Sequence, residues 1–203
     1  MTTAEQLELN NLADVEYEIF PLLKTRYSPR IFSDALLPEV EIMKLFEAAR
    51  WAASSYNRQP WRFVYCQRKS SAYATLLDCL STFNQAWASN APLLIITIFK
   101  EKTADGKDNF HALHDLGLAM GNMTIQAQSA NIALHHMAGV DIEKVKDAFQ
   151  IPEGFHINSV VAAGYYGGDP NTLSEDLKKE EKASRDRRPV VEFAFENEWK
   201  NLK

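Results

Sequence analysis

The spacing of apolar residues along the chain predicts five helices. Apolar side chains that recur every three or four residues form one face of a helix. The predicted helices cover residues 4–23, about 38–53, 70–89, 110–134 and 142–149. The helix over 110–134 is the longest and is rich in alanine, glycine and serine, which would let another helix approach closely. Asp141 precedes the last helix, where an aspartate side chain caps the first turn.

Three further segments have the pattern of strands. Residues 61–66 are rich in aromatic and β-branched side chains, which favour a strand. Residues 93–99 are apolar on both faces and predict a central strand covered on both sides. Residues 158–166 predict another buried strand, which ends at Gly167. Strands and helices are mixed and helices dominate, so we expect a layered α+β fold with a sheet covered on both faces.

The two ends of the chain are expected to lie outside this core. Residues 1–23 are interpreted as an N-terminal helical segment, and residues 24–203 as a single domain. Within that domain a C-terminal arm begins at about residue 170, and its charged stretch 171–188 predicts a solvated arm. Residues 190–199 alternate partly between apolar and polar, which predicts a last strand or an extended tail.

Composition narrows the class of protein. The 203 residues carry a net charge of −5 with a pI near 5.6, which argues against nucleic acid as the main partner. The longest apolar run, 92–99, is too short to cross a bilayer, and the first residues lack the pattern of a signal peptide. Cys66 and Cys79 form no CxxC motif and are expected to be reduced packing residues. We therefore expect a cytoplasmic protein without a membrane partner.

Polar chemistry is concentrated in three separate segments. Residues 26–30 offer two guanidiniums and a hydroxyl, and residues 54–61 place hydroxyl and amide groups in a turn before an apolar strand. Residues 185–188 add three more arginines. Together these groups could hold a flat ligand with polar edges and a negative charge, a description that fits flavin mononucleotide (FMN). Each segment taken alone could instead be an ordinary charged surface or turn.

The order and spacing of these segments resemble the FMN-dependent nitroreductase family over about residues 24–195. The family motif Arg-x-Ser-x-Arg/Lys is matched by Arg26, Ser28 and Arg30. Its motif Pro-Ser-Ser-x-Asn-x-Gln-Pro-Trp is matched over residues 53–61, with Ala53 in place of the proline. A Gly-Phe-Asp-like turn at 139–141 and an Arg-x-Arg-x-Pro sequence at 185–189 follow in the family's order.

This resemblance implies a nitroreductase-like layered fold with a mostly antiparallel central sheet. It also implies an intertwined homodimer with one FMN at each end of the interface, so that both subunits line each site. Arg26 and Arg187 would bind the phosphate with help from Arg185, because guanidinium and phosphate pair in a bidentate manner. Ser28 would bind the phosphate or the ribityl chain. Arg30 would lie near flavin N1 and the C2 carbonyl, where reduction builds negative charge.

The resemblance assigns the remaining cofactor contacts to other segments. The partner subunit would supply the loop that touches the ring edge and the ribityl chain, through Ala53, Ser54, Ser55, Asn57 and Gln59. On the first subunit, Asn84 would pair with the pyrimidine edge, or it could be a surface residue of its helix. The backbone N–H groups of Ala138 and Gly139 would point toward N5, and Tyr27 completes the set.

Three positions have no single interpretation from the sequence. Trp87 stands where some relatives carry a lysine near the flavin, so it could stack on the ring or pack in the core. His135 and His136 could shape the pocket near N5, but a structural role is the simpler reading. No cysteine or HExxH pattern accompanies the histidines, so a metal site is not expected.

The function implied by the resemblance is that of an FMN-dependent NAD(P)H oxidoreductase. NADPH or NADH would give a hydride to flavin N5, and a flat acceptor would then use the same pocket, which gives ping-pong kinetics. Nitroaromatics, quinones and free flavins are the acceptor classes of the family. The flavin carries the chemistry, so no catalytic acid or base is expected. Alternatives are a specialised flavin, dehalogenating or enoate reductase of the same family, and a flavin-binding protein without turnover.

Overall fold

The computed structural model describes residues 12–200, and its centre is one antiparallel sheet. The strands are β1 (Trp61–Gln67), β2 (Leu93–Lys100), β3 (Ile132–Met137) and β4 (Phe155–Tyr165). Their order across the sheet is β1-β2-β4-β3, and every neighbouring pair is antiparallel. The first six residues of β2 are buried, which confirms the prediction of a central strand.

Seven α-helices surround this sheet within the described residues. They are α1 (Pro21–Thr25), α2 (Glu39–Arg50), α3 (Ser71–Asp78), α4 (Thr82–Ala88), α5 (Ala112–Ser129), α6 (Ile142–Ala148) and α7 (Glu175–Glu181). Asp141 caps α6 as predicted, because its side chain accepts a hydrogen bond from the backbone N–H of Lys144. None of the helices within residues 12–200 is both long and apolar enough to cross a lipid bilayer.

The two faces of the sheet have separate hydrophobic cores, because successive side chains of a strand point to opposite faces. On β2, Leu93 and Ile95 pack in the core beneath α2 and α5, whereas Leu94 and Ile96 pack in the core beneath α3, α4 and α6. This arrangement confirms the layered α+β fold. Cys66 is buried in the second core, where burial raises the pKa of its thiol to about 11, and it is a free thiol as expected.

The prediction of one helix over 110–134 is wrong at its C-terminal end. Helix α5 ends at Ser129, and Asn131 then adopts a left-handed conformation with φ of 57°. Asparagine tolerates that conformation better than most residues, so it reverses the chain into β3. The predicted helix over 70–89 is also divided, since Ser81 caps a separate helix α4 through the backbone N–H of Asn84.

Both chain ends differ from their predicted form. Residues 12–20 are not helical, and the short helix α1 begins only at Pro21; residues 4–11 of the predicted helix lie outside the described residues. The predicted solvated arm instead contains helix α7, whose Leu177 is buried in the core. A helix with many charged residues can still pack on the core through one apolar face. Residues 190–199 contain a 3-10 turn at Val190–Glu192 and no strand.

Candidate functional site

Segments from opposite ends of the sequence meet in one pocket of about 250 Å³. Arg26, Tyr27, Ser28 and Arg30 line one side. The other side is lined by residues from the end of α7 and the segment after it, namely Glu180, Glu181, Ala183, Ser184, Arg185 and Arg187. The predicted association of the first and third basic segments is therefore present in the folded chain.

The arginines of this pocket are close enough to disfavour one another's positive charge. Burial lowers the pKa of Arg26, and the nearby guanidinium of Arg187 lowers it further. Burial likewise lowers the pKa of Arg185, with added repulsion from Arg26 and Arg187. Arg187 forms a 2.6 Å hydrogen bond to the carbonyl of Asp186. Converging cations whose charge is disfavoured in the folded chain would be stabilised by an anion such as a phosphate.

A network of polar side chains holds the N-terminal basic segment in place. The hydroxyl of Tyr166 lies 3.2 Å from the carbonyl oxygen of Tyr27 and 2.7 Å from Oε1 of Gln128. Gln128 in turn donates from Nε2 to Oγ1 of Thr25 at 3.1 Å. The rings of Tyr27 and Tyr166 are in contact, with centroids 5.0 Å apart. The C-terminal end of α5 and the end of β4 thus fix the backbone on either side of Arg26.

Arg30 is held by helix α7. Its backbone N–H donates to a carboxylate oxygen of Glu181 at 3.0 Å, and its guanidinium pairs with Glu180 at 2.8 Å. Nδ1 of His135 lies 2.9 Å from the carbonyl of the preceding residue, Pro29, and so supports the same segment. The guanidinium of Arg30 also lies 5.8 Å from the ring centre of Phe83, a distance at which a cation–π contact forms.

Asn84 and Gly139 are in contact, although 55 residues separate them in the sequence. Nδ2 of Asn84 donates to the carbonyl of Gly139 at 3.0 Å, and Asn84 is buried, so it is not a surface residue. A Cβ atom at Gly139 would lie 2.6 Å from Oγ of Ser81 and 2.7 Å from Nδ2 of Asn84. A larger residue at this position would displace the side chains of Ser81 and Asn84, whereas Ala138 beside it is exposed.

The loop over residues 53–59 has an unusual backbone. Tyr56, Asn57 and Gln59 all have left-handed φ angles, of 52°, 55° and 46°, a conformation that costs energy for residues other than glycine. Internal hydrogen bonds maintain it: the backbone N–H of Gln59 donates to Oγ of Ser54 at 3.1 Å, and the side-chain amide of Gln59 donates to Oδ1 of Asn57 at 3.0 Å. Strained and exposed loops of this kind are typical of binding sites.

A buried carboxylate anchors that loop to helix α5. Oδ2 of Asp115, whose side chain is almost fully buried, accepts a hydrogen bond from the backbone N–H of Ser55 at 3.1 Å. Asp115 lies in the first turn of α5, where a negative charge is stabilised by the helix dipole.

The two halves of the predicted site lie at opposite ends of α5. Asp115 holds the loop 53–59 at the N-terminal end, whereas Gln128 holds the arginine segment near the C-terminal end. Thirteen residues separate Asp115 from Gln128, and at 1.5 Å per residue these anchors are about 20 Å apart along the axis. Within one chain, the loop and the arginine pocket are anchored at different ends of the domain.

The three ambiguous positions are now placed. Trp87 is fully buried and its ring centre lies 4.3 Å from that of His135, so it packs in the core. Burial lowers the pKa of His135 to about 4. The side chain of His136 reaches solvent, but desolvation by neighbouring residues lowers its pKa. The positive charge of Arg26 lowers this pKa further, so His136 lies close to the arginine pocket.

Several residues that hold the site in place were not identified from the sequence. Asp115, Tyr166, Glu180 and Glu181 each contact a predicted residue from a distant part of the chain, and Gln128 contacts Tyr166. A buried aspartate on the apolar face of a predicted helix was the available signal for Asp115. The two glutamates belong to a charged run and carry no comparable signal.

Comparisons with known proteins agree with this geometry. A crystal structure of an oxidoreductase containing FMN superposes with a TM-score of 0.89 and 31% identity, covering 95% of this chain and 98% of the other. A nitroreductase family protein from Clostridium difficile 630 superposes with a TM-score of 0.67 at 22% identity, covering 88% of this chain and 97% of that one, which shows a shared fold.

Sequence comparison gives the same family. A relative from Archaeoglobus fulgidus, named "Putative NADH dehydrogenase/NAD(P)H nitroreductase", is 24% identical over 155 residues, which are 73% of this chain and 85% of the relative. The sequence profile of the nitroreductase family matches residues 23–90 and 76–165, which together make up most of the chain. The chain therefore belongs to the nitroreductase family.

Proposed function

We propose that this protein is an FMN-dependent NAD(P)H oxidoreductase of the nitroreductase type. One observation carries the proposal: Arg26, Arg185 and Arg187 converge from distant parts of the sequence on a single pocket. Similarity to an oxidoreductase containing FMN and to a relative named for NAD(P)H supports the choice of cofactor and electron donor.

The residues present fit the chemistry of FMN. Mutually repelling guanidiniums would be stabilised by the two negative charges of a phosphate. The hydroxyl of Ser28 accepts a hydrogen bond from Nη1 of Arg26 at 3.3 Å and keeps its own hydrogen to donate to the phosphate. The amide of Asn84 and the backbone of Ala138 and Gly139 provide the directional donors and acceptors that the edge of a flavin ring requires. Arg30, which lines the same pocket, would hold the edge of the ring where reduction builds negative charge, and its positive charge would favour the reduced state.

Bound FMN would supply the redox chemistry between NADPH or NADH and a nitroaromatic, quinone or flavin acceptor. The chain's own residues would bind and orient the cofactor and polarise the edge of its ring. Donor and acceptor use one pocket in turn, so ping-pong kinetics follow. None of the described residues is needed as a catalytic acid or base in this scheme.

We further propose that the complete site is formed in a homodimer, since the loop 53–59 and the arginine pocket are anchored at different ends of α5. The surface near this helix supports an interface: Trp51 and Phe110 are 73% and 89% exposed. A Cβ atom at Gly117 or Gly121 would meet nothing within 4 Å, so a second chain could approach α5 closely. In the dimer, one chain's loop would complete the pocket of the other.

The test is the flavin affinity of the double variant Arg26→Ala, Arg187→Ala. Loss of two charge-assisted phosphate contacts should cost about 3 kcal/mol or more, which weakens FMN binding at least a hundredfold. Quenching of flavin fluorescence during titration of apoprotein gives the dissociation constant. Arg50→Ala, Arg188→Ala is the matched control, because it removes two arginines that do not line the pocket.

Bleaching of the flavin absorbance by NADPH or NADH, followed by recovery with a quinone, tests turnover in the wild-type protein. Full FMN occupancy in the pocket variant would reject the phosphate site. A bound flavin that neither donor reduces would favour a flavin-binding protein without turnover.

A further inference from the structure

Helix α7 joins the two halves of the arginine pocket, and it does so through a residue that is itself buried. Glu181, the last residue of α7, is only 7% exposed, and its carboxylate accepts a hydrogen bond from the backbone N–H of Arg30 across 151 residues of sequence. Such a contact does more than pair charges, because it fixes the position of one backbone segment relative to another.

The arginines of the C-terminal segment follow directly after this anchor. Arg185 comes four residues after Glu181, and Arg187 two residues later, with no helix between them. The described residues between this anchor and Arg185 are exposed, so they contribute little to holding the segment. The segment is fastened again where Arg185 donates to the carbonyl of Lys24 at 2.9 Å.

A buried carboxylate in an arginine-lined pocket repels an anionic ligand, so its presence there calls for a structural explanation. Desolvation raises the pKa of Glu181, while Arg30 opposes that rise. A neutral side chain would fill the same place without repelling a phosphate. The hydrogen bond to the backbone of Arg30 accounts for a side-chain oxygen acceptor at this position.

We propose that Glu181 is a positioning residue for the phosphate end of FMN, fastening the segment that carries Arg185 and Arg187 to the segment that carries Arg26 and Arg30. This inference rests on the proposed function. It assigns to Glu181 no contact with the cofactor itself.

The test compares the affinities of Glu181→Ala for FMN and for riboflavin, which differ only in the phosphate. Without its anchor the C-terminal arginine segment no longer holds its place, so FMN should bind about tenfold more weakly, while riboflavin affinity should change less than twofold. Glu181→Gln keeps an oxygen acceptor for the N–H of Arg30 and should restore most of the FMN affinity. Thermal unfolding of each apoprotein, followed by circular dichroism, shows whether the fold is retained.

Glu175→Gln is the matched control, since Glu175 is an exposed carboxylate of the same helix, pairs with Lys178 and does not line the pocket. Removing its charge should leave the affinities for FMN and riboflavin unchanged. Equal weakening of FMN and riboflavin by Glu181→Ala, or an equal loss of FMN affinity in Glu175→Gln, would overturn the positioning role. Failure of the wild-type protein to prefer FMN over riboflavin would instead reject the phosphate site, and with it the proposed function.

Discussion

The carboxylate of Asp115 accepts a hydrogen bond from the backbone N–H of Ser55. This contact connects the buried first turn of α5 to the exposed loop that precedes β1. The carboxylate is almost inaccessible to solvent, so it serves as a fixed acceptor. Three of the next four residues have left-handed φ angles, a conformation that is unfavourable without contacts that hold it. The hydrogen bond from Ser55 to Asp115 is one such contact.

We expect Asp115→Ala to destabilise the fold and to loosen this loop. The N–H of Ser55 loses its acceptor, and an unsatisfied donor together with the lost volume should lower the free energy of unfolding by about 2 kcal/mol. Urea unfolding measures the change. Asp115→Asn retains an oxygen acceptor and should lose less. Asp34→Asn, at a fully exposed side chain, is the control and should change stability by less than about 0.5 kcal/mol. Equal effects at both positions would contradict the anchoring role.

His135 predicts a pH dependence of stability. Burial lowers its pKa in the folded chain to about 4, below an unfolded value near 6.5. Between these values the unfolded chain binds more protons, so stability falls as pH decreases from 6.5 to 4, by up to about 3 kcal/mol. His135→Gln can still donate to the carbonyl of Pro29 but does not titrate, so its unfolding free energy should depend less steeply on pH. An unchanged slope in this variant would show that other groups cause the acid sensitivity.

Subunit mixing tests the proposal of a shared site. A chain with Arg26→Ala and Arg187→Ala lacks the pocket, and a chain with Asn57→Ala and Gln59→Ala lacks the loop. Each homodimer should bind FMN weakly, whereas the mixed dimer should regain one intact site out of two. That site combines the wild-type arginine pocket of the loop variant with the wild-type loop of the pocket variant. Flavin content after joint refolding measures this recovery. Mixed samples that stay as flavin-poor as their parents would indicate that each chain builds its site alone.

The sheet could be predicted from the sequence more completely than the helices around it. The strand at 93–99 is apolar on both faces, and only a central position satisfies that pattern. The strand at Ile132–Met137 was missed because no glycine or proline separates it from α5, and its apolar residues also fit a helical face. Asn131, which adopts the left-handed conformation there, was the only local sign of the reversal.

Some residues of the site could be predicted from the sequence, and others could not. Arg26, Arg187 and Asn84 were found because their sequence motifs resemble a known family, and the structure brings Arg26 together with Arg187 and Asn84 together with Gly139. Glu181 and Tyr166 could not be found in this way, because their roles depend on a backbone group more than 130 residues away. Such contacts arise only when the chain is folded.

The separation of about 20 Å between the two anchors on α5 has a thermodynamic consequence. In the proposed homodimer, a flavin that contacts the loop of one chain and the arginine pocket of the other would bind the dimer more tightly than the separate chains. Flavin uptake and subunit association would then be linked equilibria: dilution would promote loss of the flavin, and added flavin would raise the melting temperature and slow subunit exchange. Under this proposal an apparent flavin affinity is meaningful only together with the protein concentration at which it was measured.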